Sequence, residues 1–120
     1  MKAKKILYLL RQPPYSGAHG AETIDAVLVA GIFDQQVSVL FKDDGVLQLV
    51  ANQRGELLGR RSISSMLGAL PEYEINEFYA CADSMSRHRL VTEDLCLAVK
   101  PLDLSEQRTL LANQDVVLND

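Results

Sequence analysis

The runs VSVLF at 37–41 and LCLAV at 95–99 lack the clean polar alternation of a strand with one wet face. Such runs belong to strands covered on both sides, as in parallel sheets coated by their own crossover helices. The candidate strands are Lys5–Leu10, Val37–Phe41, Ile75–Ala80, Leu95–Val99 and Asp115–Leu118. Between them the spacing predicts helices over Ala21–Phe33, Gly45–Ala51, Ser62–Leu70, a short segment from about Asp83, and Ser105–Asn113. The order βαβαβαβαβ implies a three-layer α/β/α sandwich around a mostly parallel five-stranded sheet.

Local punctuation agrees. Gly20 and Glu22 open the first helix, with an acidic side chain where the helix dipole favours one. Asp103, three residues ahead of Glu106, is a capping-box-like start for the last helix, and Pro71 marks the end of another. A chain of 120 residues supports one hydrophobic core, so residues 1–120 read as a single domain. Its 48% apolar and 23% charged content is that of a folded chain. The apolar run after the basic start is about six residues long and meets proline at once. That is short of the roughly 7–15 residues of a signal h-region and the about 20 of a membrane span. A cytoplasmic protein without a membrane segment is expected.

Net charge is −4, against a protein that grips a nucleic-acid backbone by itself. The basic clusters Lys2-Lys4-Lys5, Arg60-Arg61 and Arg87-His88-Arg89 read as solvated surface. Two cysteines, Cys81 and Cys96, make neither a zinc spacing nor a disulfide framework and are expected as thiols.

The first helix carries more than a core stripe. Ile24, Val27, Leu28 and Gly31 share one face, while Val29, Ala30, Ile32 and Phe33 fill the others, with no polar residue between Asp25 and Asp34. A helix apolar all round sits deep or meets another subunit, and so small a domain has few deep places for an outer-layer helix. Ile24, Val27, Leu28, Val29, Ile32 and Phe33 are therefore the candidate interface residues.

Asp43-Asp44-Gly45 follows a strand, where parallel sheets gather their binding sites. It has two readings, a site or a turn. Asp is a preferred N-cap and Gly permits a sharp turn, whereas two neighbouring carboxylates with no His or third acid beside them make a poor metal set. The turn into a helix is the expectation. The loop from Pro13 to Gly20 holds neither a GxGxxG nor a Walker pattern, so no cofactor is expected, and His19 and His88 read as surface histidines.

In sequence, the stretches PYSGAHGAETIDAVLVAGIFDQQVSVLFKDDGVLQL and YACADSMSRHRL, with the closing LLANQDVVLND, resemble the DsrE/DsrF-like sulfur-relay proteins, within them the TusC/DsrF branch. The resemblance implies the DsrE/F-like parallel sheet between helices. It also implies a heterohexamer holding two copies each of this chain and of TusB-like and TusD-like subunits. In such an assembly persulfide sulfur passes from a TusA-like donor to a TusE-like acceptor, toward 2-thiouridine at the tRNA wobble position. A DsrEFH-like assembly serves sulfur oxidation instead.

A relay needs an accessible thiolate. Cys81 follows the apolar strand INEFYA, precedes a helix start and has Arg87, His88 and Arg89 downstream, all favouring thiolate, with Asp83 opposing. Cys96, inside LCLAV, reads as a small buried hydrophobe. The resemblance places the family's sulfur carrier on the TusD-like sister chain, at the position comparable to Cys81. Here Arg87-His88-Arg89 stands where an Arg-x-Gly pattern is more usual. Two readings follow, an assembly subunit with a bland thiol or a chain whose Cys81 itself carries sulfur.

Overall fold

The computed structural model describes residues 4–13, 19–32, 35–50 and 63–119, with the backbone alone at 19–22, 32 and 63–65. Five strands form one sheet: β1 (Lys5–Leu10), β2 (Gln36–Phe41), β3 (Glu77–Cys81), β4 (Lys100–Leu102) and β5 (Val116–Asn119). Their spatial order is β4-β3-β2-β1-β5 and every pairing is parallel. The helices are α1 (His19–Ile32), α2 (Ile63–Ala69), α3 (Ala82–Arg87) and α4 (Leu104–Ala112), with 3-10 segments at Asp43–Leu49, Leu70–Tyr73 and Thr92–Asp94. This is the parallel α/β sheet that the uninterrupted apolar runs imply.

Strand alternation divides the sheet into two covered faces. Tyr8, Leu10, Val37, Val39, Phe41, Phe78 and Ala80 belong to one core cluster with Ile24 and Val27 of α1, and the Tyr8 hydroxyl reaches the Ala26 carbonyl at 3.5 Å. The opposite face presents Leu7, Ser38, Leu40 and Cys81, all buried, with α4 on that side. Leu7 and Leu40 are 0% exposed, so the second coat covers the middle of the sheet, while Leu9 and Tyr79 on that face are half-buried and Glu77 is exposed.

Two strands begin two or more residues away from their expected starts. The apolar run at Leu95–Val99 is not the fourth strand, which is Lys100–Leu102. Leu95 makes only an isolated antiparallel bridge to Val50, and the Cys96 N–H donates to Leu49 O at 2.8 Å. Leu97 is buried in the core cluster, so the run's apolarity serves to cover the core on the way back to the sheet. Pro101 then sits in the edge strand, where a missing N–H is tolerated. The third strand begins at Glu77 rather than Ile75 because Glu74, at φ 64, turns left-handed after the 3-10 segment and Ile75 packs into the core.

The last helix starts as its sequence dictates. Asp103 Oδ1 accepts the Glu106 N–H at 2.8 Å, and Glu106 Oε1 accepts the Asp103 N–H at 3.0 Å, a complete capping box. Asp103→Ala is expected to cost about 1 kcal/mol, read by urea unfolding. A loss under a few tenths would mean that α4 is held by packing alone.

Candidate functional site

The carboxyl ends of β1, β2 and β3 converge through the segment after β2. Lys42 is the N-cap of the 3-10 turn and makes no side-chain cap bond, so neither aspartate caps the helix as its residue type suggests. Asp43 instead takes φ 53, a left-handed conformation that Asp tolerates better than most residues. That geometry turns its N–H onto Ser84 Oγ, 2.9 Å away in α3, and its carboxylate onto Arg11 after β1, at 2.8 Å. Arg87 approaches the other Asp43 oxygen at 3.7 Å and pairs with Asp83 at 3.3 Å, while His88 Nε2 lies 3.1 Å from Asp44. The Asp43 carboxylate thus meets two arginines and the Asp44 carboxylate the His88 ring, and the Asp-Asp-Gly turn ties three strand ends together.

Cys81 is the last residue of β3 and the N-cap of α3. It is 2% exposed. Burial pushes its thiol up, but hydrogen bonds outweigh that effect: the Ser84 hydroxyl and N–H, the Gln107 side chain and the Asp83 N–H together hold it below the ordinary thiol range. Cys96 goes the other way, with burial pushing its thiol up. Sequence order alone indicated the helix start beside Cys81. It did not indicate Gln107, whose amide donates to the Leu102 carbonyl at 3.0 Å, nor Ser84 as the acceptor of the Asp43 N–H.

Of the six candidate interface residues, Ile24 and Val27 are at 2% and 1% exposure inside the chain's own core, Leu28 packs partly against it, and Val29 is 51% exposed. The Ile32 side chain and Phe33 lie outside the described residues, as do most of the loop from Pro13 to Gly20 and the Arg60-Arg61 pair. Among the described residues, no helix is long and apolar enough to cross a membrane.

The sequence pattern of the DsrE/DsrF-like family matches residues 4–119. The chain belongs to the DsrE/DsrF-like family. Two relatives set its place within that family. A protein TusC homolog of Pseudomonas aeruginosa is 36% identical over 116 residues, spanning 97% of this chain and 98% of the relative. The intracellular sulfur oxidation protein DsrF of Allochromatium vinosum is 35% identical over 105 residues, spanning 87% of this chain and 77% of DsrF. Among solved structures, the ychN protein of Escherichia coli superposes with a TM-score of 0.83 over 98% of this chain and 99% of its own, at 18% identity. That likeness concerns the fold. The DsrE/DsrF-like sheet is the frame on which the strand-end turn and Cys81 sit.

Proposed function

We propose that this chain is a subunit of a sulfur-relay assembly, contributing mainly to assembly while persulfide sulfur passes over a TusD-like sister chain. The observation that carries this reading is the covered sulfur: a residue 2% exposed offers no surface to a donor protein's persulfide, which must be attacked in line by an accessible thiolate. Near-equal identity to a TusC homolog and to DsrF supports the relay branch as a whole. The fuller span of the TusC homolog, 98% against 77% for DsrF, favours delivery toward 2-thiouridine in tRNA over sulfur oxidation. The proposed partners are TusB-like and TusD-like chains, two copies of each in a heterohexamer, with TusA-like donor and TusE-like acceptor proteins acting through the complex in the cytoplasm. On α1, Val29 is the described candidate that faces outward and Leu28 lies at the boundary.

A second reading has its own support. The hydrogen bonds that lower the Cys81 thiol are what a sulfur carrier requires once its cover moves. Co-expression with TusB-like and TusD-like chains, followed by sizing and intact-mass analysis after persulfide loading, separates the two. A complex with sulfur only on the sister chain is the expected result, and Val29→Glu weakens that complex. A chain that stays monomeric beside both partners would sink the assembly role. An extra sulfur on this chain that vanishes in Cys81→Ser would make it a carrier.

A further inference from the structure

We infer that the cavity between the amino ends of β1, β2 and β3 and the carboxyl end of α4 binds a small zwitterion, its ammonium held by Glu77 and its carboxylate by Lys5. Lys5, Gln36 and Glu77 open their strands, whereas Cys81 closes β3, so the cavity lies at the other end of the sheet from the thiol and goes beyond the relay reading.

The cavity measures about 200 Å³, with walls of Lys5, Gln36, Ser38 and Glu77 from the sheet and Asn113 and Gln114 from the end of α4. Ser38 breaks an apolar run. Its neighbours from Val37 to Phe41 are apolar and buried, and Ser38 is itself 3% exposed, where Val or Ala would fill the space with no hydroxyl to satisfy. The hydroxyl donates to Glu77 Oε2 at 2.8 Å, across the register pair that Ser38 and Glu77 form. That bond draws an exposed carboxylate down against the sheet. It leaves Glu77 Oε1 and the Ser38 lone pairs as acceptors.

Gln114 supplies another acceptor. Its Nε2 donates to Leu110 O at 3.1 Å, which settles the orientation of the amide, because the opposite one would set two oxygens against each other. Gln114 Oε1 is then buried without a hydrogen-bond partner among the described residues, a cost that a donor entering the cavity would remove. The helix α4 also ends here, at Ala112, and the negative end of its dipole favours positive charge. Carboxylate, amide oxygen, hydroxyl oxygen and helix end together fit a positively charged group with several donors, which is an ammonium.

Lys5 faces these acceptors from β1. Among the described residues its ammonium makes no ion pair, with Glu77 or with any other carboxylate, and Glu77 pairs with no cation. A simple cation in the cavity would be opposed by Lys5, and a simple anion by Glu77. A molecule carrying both charges satisfies both walls. It must also be short, because only β2 separates the strands of Lys5 and Glu77, whose axes are then about 9–10 Å apart. The amides of Gln36 and Asn113 can present either a donor or an acceptor to it. The chemical class that meets these conditions is a small ammonium carboxylate, such as an α-amino acid with little or no side chain.

The test follows backbone amide shifts by NMR while the folded chain is titrated with glycine, with glycinamide, which lacks the carboxylate, and with acetate, which lacks the amine. Glycine is expected to shift the amides around Lys5, Ser38, Glu77 and Gln114 and to bind at least about tenfold more tightly than either fragment. Glu77→Gln and Lys5→Met, both at exposed positions, are each expected to weaken glycine by about tenfold. Equal affinity for the three probes overturns the inference, as do shifts confined to other parts of the chain. So does a folded variant of either residue that binds glycine as well as the natural sequence. No shift at high millimolar glycine would show a cavity that holds only water, and overturns it too. The comparison of probes is made on the natural sequence, so it decides the matter even if a variant fails to fold. It needs neither partner protein nor persulfide, so its result leaves the relay reading untouched.

Discussion

Gly45→Ala is expected to cost at least about 3 kcal/mol and to lower Tm by on the order of 10 °C. A Cβ at Gly45 would run into the Leu10 carbonyl oxygen, and it would lie 2.6 Å from that carbonyl carbon and 3.0 Å from Arg11 N. All three are main-chain atoms at the end of β1, and the same carbonyl already accepts the Lys42 N–H at 3.0 Å. Nothing there can rotate away. Relief would mean moving β1 or breaking its last bond to the segment after β2, which would also displace Asp43 from Arg11 and Ser84. Gly31→Ala provides the contrast. There a Cβ meets Ile75 Cδ1 at 2.6 Å and Cγ1 at 2.8 Å, the far end of a side chain, and Ala gains about 1 kcal/mol of helix propensity over Gly. The expected net change for Gly31→Ala is within about 1 kcal/mol, because re-rotating Ile75 and the propensity gain offset each other. Thermal melts of both variants decide the matter, and a Gly45→Ala protein as stable as Gly31→Ala would remove the close approach as the reason for the glycine.

Much of this frame was legible in the residues because its causes are local. VSVLF is buried on both faces since the sheet is coated twice, and Asp103 with Glu106 closes a capping box that needs only its own four residues. LCLAV defeated the same reasoning: apolarity records burial, and a segment that crosses over a core is buried without pairing. Asp43-Asp44-Gly45 was legible as a turn, but its carboxylates answer to Arg11 and His88, which lie far away in sequence. Gln107 left one faint signal. It stands three and four residues before Leu110 and Leu111, on the apolar side of an otherwise polar helix, and a neutral amide in such a place is a buried polar group in need of a partner. Its amide finds that partner in the Leu102 carbonyl, at 3.0 Å at the end of β4.

The second large effect concerns how fast Cys81 reacts. Alkylation at neutral pH, followed by peptide mapping to separate Cys81 from Cys96, is expected to label Cys81 at least about tenfold more slowly in the folded chain than in urea. Ionisation alone argues for the opposite order. A free thiol is only a few per cent thiolate near neutrality, so the favourable hydrogen bonds at Cys81 can speed reaction by no more than some tens of fold. Access works against this with a larger factor. Cys81 is 2% exposed, and its backbone is paired to Leu102 in β4. A local opening that costs about 4 kcal/mol leaves the reactive form at about one part in a thousand, which overcomes the gain from ionisation. Access should win, and the thiol nearest to ionised should be hidden until something lifts its cover. Labelling as fast in the folded chain as in urea would show the sulfur to be reachable, and would favour a carrier over an assembly subunit. The expected protection leaves Cys81 available for sulfur transfer only if docking of a sister chain or a donor protein moves α3 or α4, so the same measurement repeated on the assembled complex reports whether assembly opens the site.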